Sequence, residues 1–516
     1  MNSGYKNLFL HFLITFVMST VLTVAAQGQS KNDVITVTID NSKIISANYI
    51  GNGVQWEAYP HGDSEQSEWG NQMTEDNWQK LYKRLDFMKP QLIRLMIGGK
   101  WRYLKGVNEH GEPIIDHQKE LEPLTRILEY CQKNDITVMF GEWWPPDFVD
   151  RADDKRWIEM ASEYLRFLIE DKGYTTIKYF NLVNEPNGYW AATDGDWDMW
   201  KTAVQRFKVK LEEKGIADDV QIAGPDAVAH YNHPDSKYTG KEWVVETARQ
   251  LEDIVGPLEM HAYPGAKHVR SGEFTNYYRE IAELADSYNK PLIMGEVGFK
   301  YYDEDPELRD ENARRIKEDP YASEDSNMFI YDFFYGVDMA DVLIQSMNLG
   351  FDGVIAWGLD DAMHTNGDTG DKTSLKRWGF WNILGKEMYN DPEDEEIRPW
   401  FYSWSLMSRY FPQGTQILGV SESEATGVRV VAGKRDGDYT FAVVNSSGAD
   451  QQINLQMNAD TALDLKHYIY TDEARPKNAD GFPVPKEHMS NVNLKEGLPV
   501  TVPAESFQLF TEMDFN

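Results

Sequence analysis

The sequence predicts an α/β chain: a (β/α)8 TIM barrel followed by a C-terminal antiparallel β-sandwich. Three observations carry that expectation. Short apolar or β-branched runs, each ending in Gly, Asn, Glu or Pro, alternate with stretches of helical period. Eight such runs occur before residue 400. Beyond Tyr410 the pattern changes to the two-residue alternation of strands separated by turn clusters such as Arg435-Asp436-Gly437-Asp438.

Taken in order, the first element is a leader. Lys6 precedes an apolar run from Leu8 to Ala26, interrupted only by His11, Thr15, Ser19, Thr20 and Thr23, with Ala25, Ala26 and Gly28 at its end. Positive, apolar, small is the order of a secretory signal peptide, so residues 1–28 are expected to be cleaved near Ala26 or Gly28. An uncleaved anchor is the rival, weakened by the hydroxyl residues and the histidine in the run. No Cys lies near the cleavage zone, which excludes lipid attachment there. The mature chain is expected to be secreted or periplasmic, with no membrane contact after cleavage.

Residues 33–46 alternate as a strand. The eight barrel runs are 49–56, 92–97, 136–140, 177–183, 220–223, 258–261, 292–294 and 353–357. Between them lie helical faces such as Trp78, Leu81, Tyr82 and Leu85, or Ile158, Ala161, Leu165 and Leu168 before Gly173 as a C-cap. This places the barrel at 47–411. The rival, a doubly wound open sheet, is weakened because Gly51-Asn52-Gly53 lacks the third glycine and the helix of a phosphate-binding turn. The sandwich is expected over 412–516, with strands at 428–432, 439–444, 452–455, 467–471, 499–502 and 506–510, and strand 33–46 able to join it. Two long acidic stretches, 300–327 and 359–399, follow barrel strands seven and eight and should rise at the C-terminal face.

Composition narrows the function. The 516 residues carry 51 Lys+Arg against 84 Asp+Glu, a formal charge of −33, which argues against nucleic-acid binding by phosphate neutralisation. The single cysteine, Cys131, excludes an intrachain disulfide and Cys-rich zinc modules; sharing a helical face with Leu124, Ile127 and Leu128, it reads as a small buried hydrophobe. The aromatic complement of 16 Trp, 27 Tyr and 23 Phe suits a protein that grips flat polar ligands such as sugars. The eleven His form no His-x-x-x-His pair with a fitting Glu. Asp360, Asp361, Asn366, Asp368 and Asp371 could hold calcium, but their spacing is not that of an EF-hand, and a solvated acidic loop is the better reading. No metal or cofactor is expected, and a monomer is favoured.

In such a barrel, chemistry sits where strands end at the C-terminal face. Strand four ends in Asn184-Glu185-Pro186 and strand seven in Gly295-Glu296-Val297-Gly298. Two carboxylates facing across one mouth at ~5 Å suit a retaining glycosidase, one acting as acid/base and one as nucleophile. Gln55, Trp56 and Glu57 lie at the end of strand one, and Glu142, Trp143 and Trp144 just past strand three. Indole faces can stack on a pyranose while nearby carboxylates hold its hydroxyls. Glu142 is also a rival catalytic carboxylate, and each Trp could equally be core packing.

The segments Phe180-Asn181-Leu182-Val183-Asn184-Glu185-Pro186-Asn187 and Ile293-Met294-Gly295-Glu296-Val297-Gly298-Phe299 resemble the paired signatures of glycoside hydrolase clan A. That resemblance covers roughly 47–400, and the barrel-plus-sandwich layout is similar to families 30 and 39 of the clan. It implies Glu185 as acid/base and Glu296 as nucleophile, with Asn184 on the sugar 2-hydroxyl. His261-Ala262-Tyr263 resembles the clan's His-x-Tyr, which implies that Tyr263 hydrogen-bonds the nucleophile. Arg94 matches the arginine that keeps the nucleophile ionised, and Trp357 the aromatic floor under the sugar. The plainer readings are a barrel salt bridge for Arg94, a core histidine for His261 and packing for Trp357.

The expected protein is thus a secreted retaining β-glycosidase acting on a poly- or oligosaccharide. Glu185 is expected to carry a raised pKa before the first chemical step. The alternative is a non-catalytic carbohydrate-binding protein on the same scaffold, which the presence of both glutamates disfavours; a surface adhesion protein is a third reading. Without an evident Arg/Lys cluster at the site, neutral glycans are favoured over uronates.

Overall fold

The computed structural model describes residues 34–59, 72–301, 305–365, 371–425, 427–458 and 462–515. The expected leader at 1–28 lies outside them. The compact unit spans Ile35–Asn516.

Strand β1 (Ile35–Ser46) leads directly into the barrel. The barrel strands are β2 (Gly51–Gln55), β3 (Leu92–Ile97), β6 (Thr137–Glu142), β7 (Ile177–Asn181), β8 (Gln221–Val228), β9 (Val255–Ala262), β10 (Leu292–Val297) and β11 (Gly353–Ala356). A hairpin of β4 (Leu104–Val107) and β5 (Pro113–Ile115) stands outside it, between the second and third barrel strands. The eight strands close in the order β10-β11-β2-β3-β6-β7-β8-β9, every pair parallel. Each expected run falls in one strand, because a strand covered on both faces reads as a continuous apolar run. Gly53 shows how tightly the first pair is drawn. A Cβ there would lie 1.6 Å from the carbonyl oxygen of Leu92, its partner in register.

The helices bury the stripes expected of them. Helix Glu75–Met88 starts at Thr74 with a capping box to Asn77 and turns Trp78, Leu81, Leu85 and Met88 inward. Cys131 is buried on helix Leu121–Lys133, as its face implied. Helix Phe333–Leu349 differs, being buried nearly all round. It is covered on two sides: Gln345 Nε2 donates to Val269 O at 2.8 Å, and Asn348 Nδ2 to Val430 O at 2.8 Å on the second sheet.

That second sheet holds β12 (Gln416–Val420), β13 (Val428–Arg435), β14 (Asp438–Asn445), β15 (Gln451–Met457), β16 (Ala462–Tyr470), β17 (Glu487–Asn493), β18 (Leu498–Val502) and β19 (Ser506–Thr511) together with β1. The order is β17-β16-β19-β14-β13-β12-β1-β15-β18. All neighbours are antiparallel except β1 and β15, which run parallel from Ile35↔Ile453 to Ile39↔Met457. Its core gathers Val37, Leu418, Val430, Phe441, Leu455, Leu465, Val500 and Phe510 from across the sheet. Strands β12 and β17 and the hairpin were not anticipated. β12 is a short run interrupted by Gly419, and β17 is mostly exposed with almost no apolar alternation.

Candidate active site

The C-terminal ends of the barrel strands open on a cleft of about 980 Å³. Arg94, inward-facing on β3 and fully buried, organises its floor. Its Nη1 donates to Gln55 Oε1 at 2.7 Å and to Glu296 Oε1 at 2.5 Å. Its Nη2 donates to Asn184 Oδ1 at 2.8 Å and to both oxygens of Asp226, at 3.1 and 3.0 Å. A guanidinium removed from water needs such partners. Burial opposes its charge, but Asp226 and Glu296 raise its pKa above the ordinary arginine value.

Asp226, on β8, is the hub that the sequence reading missed. It accepts from Arg94, lies 3.1 Å from His261 Nε2, and receives the backbone N–H of Glu185 at 3.2 Å. Burial would raise its pKa, but Arg94 and His261 hold it far below the usual carboxylate range. Glu185 sits just past β7 in the left-handed region at φ 47°. One of its oxygens lies 2.9 Å from His261 Nδ1, and the other accepts from Trp190 Nε1 at 2.6 Å.

His261, fully buried on β9, faces Glu185, Asp226 and Glu296. Burial alone would lower its pKa, but the charges of Glu296 and Asp226 and its hydrogen bonds raise it well above the usual histidine value. As the imidazolium, both ring nitrogens donate, Nδ1 to Glu185 and Nε2 to Asp226. The same cation corrects the expectation for Glu185. Burial pushes that carboxyl up, but the His261 hydrogen bond and charge, helped by Lys300, leave its pKa lowered rather than raised.

Glu296, on β10, accepts from Tyr263 Oη at 2.5 Å on the oxygen that Arg94 leaves open. One oxygen of Glu185, one of Glu296 and a ring nitrogen of His261 all lie within 4.8 Å of one another. Beneath them Glu259, also unanticipated, accepts from Asn181 Nδ2 at 3.2 Å and lies 3.5 Å from His261. Burial, followed by the charge of Asp226, raises its pKa well above the carboxylate range. Its carboxyl occupies the space over Gly295, where a Cβ would come within 1.6 Å of Glu259 Oε1. A lone Glu inside the apolar run Leu258-Glu259-Met260 is the signal that could have found it.

The structure therefore joins Arg94, Asn184, Glu185, His261, Tyr263 and Glu296 in one network. Trp143, Trp144 and Trp357 line the cleft beside it. Trp357 stacks on His364 at 5.1 Å and meets Trp143 edge-on at 6.1 Å. Glu57 is buried behind that wall, accepting from Trp143 Nε1 at 3.2 Å. Trp56 and Glu142 are not brought to the cleft wall. Alternation along the strand turns Trp56 outward into the helix layer, edge-on to Tyr130 at 5.7 Å. Glu142 accepts from Tyr103 Oη and from the Gly99 N–H at 3.0 Å, and burial pushes its pKa up to about 8 against those bonds.

The later loops add Trp378, Lys300 and Lys376 to the lining. Both lysines lie 3.3 Å from Asp325. In the stretch read as a solvated acidic loop, Asp360 and Asp361 are instead buried. Asp360 accepts from Tyr59 Oη at 2.8 Å and Trp381 Nε1 at 3.1 Å, while Asp361 pairs with Arg398 at 2.6 Å. Asp371 is exposed and caps Thr373, and Asn366 and Asp368 lie outside the described residues. Among the described residues two donor sets, Glu185–His261–Glu296 and Asp226–Glu259–His261, are compact enough for an ion. Both include His261, so a metal there would have to displace the proton that Glu296 and Asp226 favour on its ring.

Fold and site together define a retaining glycoside hydrolase of clan A, acting on carbohydrate. The chain belongs to the cellulase family, glycosyl hydrolase family 5, whose family model matches residues 47–319 and so includes both strand-end glutamates. No curated protein matches the chain in sequence. Solved structures carry the likeness further along the chain. The family 30 subfamily 8 xylanase Xyn30A of Clostridium acetobutylicum aligns with a TM-score of 0.57 at 13% identity, covering 92% of this chain and 99% of that one. The catalytic domain of xylanase C from Talaromyces cellulolyticus aligns at 0.60 and 13%, covering 93% and 100%. A family 39 enzyme of Xanthomonas axonopodis pv. citri aligns at 0.60 and 12%, covering 94% and 99%. At these identities the likeness shows the fold, a barrel with a second sheet.

Proposed function

We propose that the protein is an exported retaining β-glycosidase of poly- or oligosaccharides, with Glu296 as nucleophile and Glu185 as acid/base. The carrying observation is the approach of their oxygens within 4.8 Å. Retaining pairs stand ~5–5.5 Å apart, whereas inverting pairs leave room for a water at ~6.5–9.5 Å.

In the first step Glu296 attacks the anomeric carbon as the glycosidic bond breaks, and Glu185 gives the departing oxygen a proton. That proton is stored next to Glu185, on His261 Nδ1 at 2.9 Å. Its transfer neutralises both partners, a change that exclusion of water by bound substrate favours. Tyr263 and Arg94 hold Glu296 aligned until it attacks. In the second step Glu185 takes a proton from water, the hydroxide oxygen bonds to the anomeric carbon, and the ester to Glu296 breaks. Arg94 fixes Asn184 by its oxygen, which leaves the amide N–H2 to donate to a sugar hydroxyl. Trp357, Trp143 and Trp378 supply apolar faces for the ring. Lys300 and Lys376 share Asp325, and the lining also carries Asp147, Asp150 and Glu324, so acids outnumber bases and a neutral glycan suits the cleft.

Export rests on the leader pattern at 1–28; no helix among the described residues is long and apolar enough to cross a membrane. The test is a panel of aryl β-glycosides and β-glycans with wild type, Glu296→Ala and Glu185→Ala. Activity is expected to vanish in Glu296→Ala and to fall by about 10²–10⁴-fold in Glu185→Ala on substrates whose leaving group needs protonation. A 2-deoxy-2-fluoro glycoside should label Glu296 covalently. Binding without turnover in all three proteins would establish the carbohydrate-binding alternative instead.

A further inference from the structure

The loop after β7 carries two aromatic side chains that no core takes up. Tyr189 is 68% and Trp190 46% exposed, the two most exposed aromatic side chains among the described residues. They are not scattered. Tyr189 meets Trp190 edge-on at 5.0 Å, and Trp190 meets Tyr231, from the loop after β8, at 4.7 Å. All three line the cleft. A contiguous aromatic surface left open to solvent at the rim of a binding cleft marks a place for a ligand.

A second observation says which ligand group it meets. Trp190 Nε1 donates to Glu185 Oε2 at 2.6 Å, the oxygen that His261 does not hold. The aromatic cluster is therefore fastened to the acid/base carboxylate. Among the other cleft aromatics, Tyr263, Trp357 and Trp378 pack with Trp143 as a separate group, of which Tyr263 holds Glu296. In a double displacement the nucleophile meets the sugar that is retained, and the acid meets the oxygen that leaves. The cluster on Glu185 thus lies where the leaving group must lie.

We propose that Tyr189, Trp190 and Tyr231 form a stacking platform for a sugar in the leaving group, so that the natural substrate is a β-linked saccharide with a sugar on each side of the cut bond. Trp190 is in addition a positioning residue for Glu185. This rests on the reading of Glu185 as the acid/base. Apart from Trp190, Glu185 is faced by His261 from β9, Asp226 from β8, Glu296 from β10 and Lys300 from the loop after β10. The Trp190 N–H favours the carboxylate form, so its loss moves the basic limb of the pH profile upward.

The experiment compares wild type, Trp190→Ala and Trp190→Phe on two substrates of one glycone: a dinitrophenyl β-glycoside, whose leaving group needs no proton, and the β-linked trisaccharide. For Trp190→Ala the loss of kcat/KM on the trisaccharide should exceed the loss on the aryl glycoside by about tenfold or more, mostly through KM. Trp190→Phe should recover much of that binding while shifting the basic limb of kcat/KM upward by about half a unit or more. An equal loss on both substrates, or a trisaccharide rate within about twofold of wild type, overturns the platform. A wild type that cleaves aryl glycosides but no β-linked saccharide overturns it as well. A wild type inert on both substrate types is a different result: it removes the proposed function itself.

Discussion

His261, on β9, and Glu142, at the end of β6, show how two buried titratable residues of one barrel come to opposite ends. His261 is fully buried yet its pKa is raised, because the charges of Glu296 and Asp226 outweigh the loss of water. Glu142 is buried with only Tyr103 and a backbone N–H, neither of them charged, and its pKa climbs to about 8. The linkage sign follows. The folded state holds the Glu142 proton between the model value of 4.5 and about 8, whereas the unfolded chain releases it. Stability from this group is therefore greatest below that window and is lost as pH rises through it, by about 1.4 kcal/mol per unit at most. Denaturant unfolding at pH 5 and pH 8 should show a larger loss for wild type than for Glu142→Gln, which has no proton to release. An equal loss in both would mean that Glu142 is ionised in the fold.

At the scale of the element, the barrel depends on close approach between strands. Gly53 on β2 stands opposite Leu92 on β3, with room for a hydrogen and nothing larger. The obstacle is a carbonyl oxygen of the neighbouring strand, which cannot swing aside as a side-chain tip can. Gly53→Ala is expected to destabilise the fold by about 3 kcal/mol or more, read as a lowered denaturation midpoint with an unchanged slope. The same pair of strands carries Gln55 and Arg94, whose hydrogen bond spans the joint. Activity should therefore fall together with stability. A variant as stable as wild type would show that the two strands can part without consequence.

In the whole molecule, the barrel and the second sheet share buried charge. Arg270, in the helix Ala266–Arg270 after β9, binds Asp338 at 2.6 Å and Glu505 at 2.7 Å, reaching from the barrel side to the turn before β19. Asp338 is fully buried on helix Phe333–Leu349, and burial raises its pKa to about 6 against the pull of Arg270. Arg270→Met strands that carboxyl, at a cost of about 3–5 kcal/mol when it is ionised. A group with a raised folded pKa loses stability as pH rises, so the variant's Tm deficit should be larger at pH 7.5 than at pH 5. Arg429, which binds the buried Asp341 at 2.9 Å from β13, ties the sheet to the same helix. Calorimetry of the wild-type chain should accordingly give one transition for the barrel and the sheet together; two separated transitions would mean that this interface carries little.

The sequence by itself determined the barrel, because each strand covered on both faces leaves a continuous apolar run and each covering helix leaves a stripe, and both are local patterns. It also determined where Glu185, Glu296, His261 and Tyr263 stand, since each lies at or near the end of such a run, and where Arg94 stands, a lone charge inside one. Strand β17 escaped because an edge strand facing solvent needs no apolar alternation. Only the tertiary structure decided what Trp56 and Glu142 meet, Tyr130 and Tyr103, because burial among helices depends on packing that no single run records. It alone decided that Asp226 and Glu259 join the site, that the pKa of His261 is raised and that the pKa of Glu185 is lowered. Those charges are set by groups from β3, β8, β9 and β10 meeting within a few ångströms, and Coulomb energies follow distance in space rather than separation along the chain.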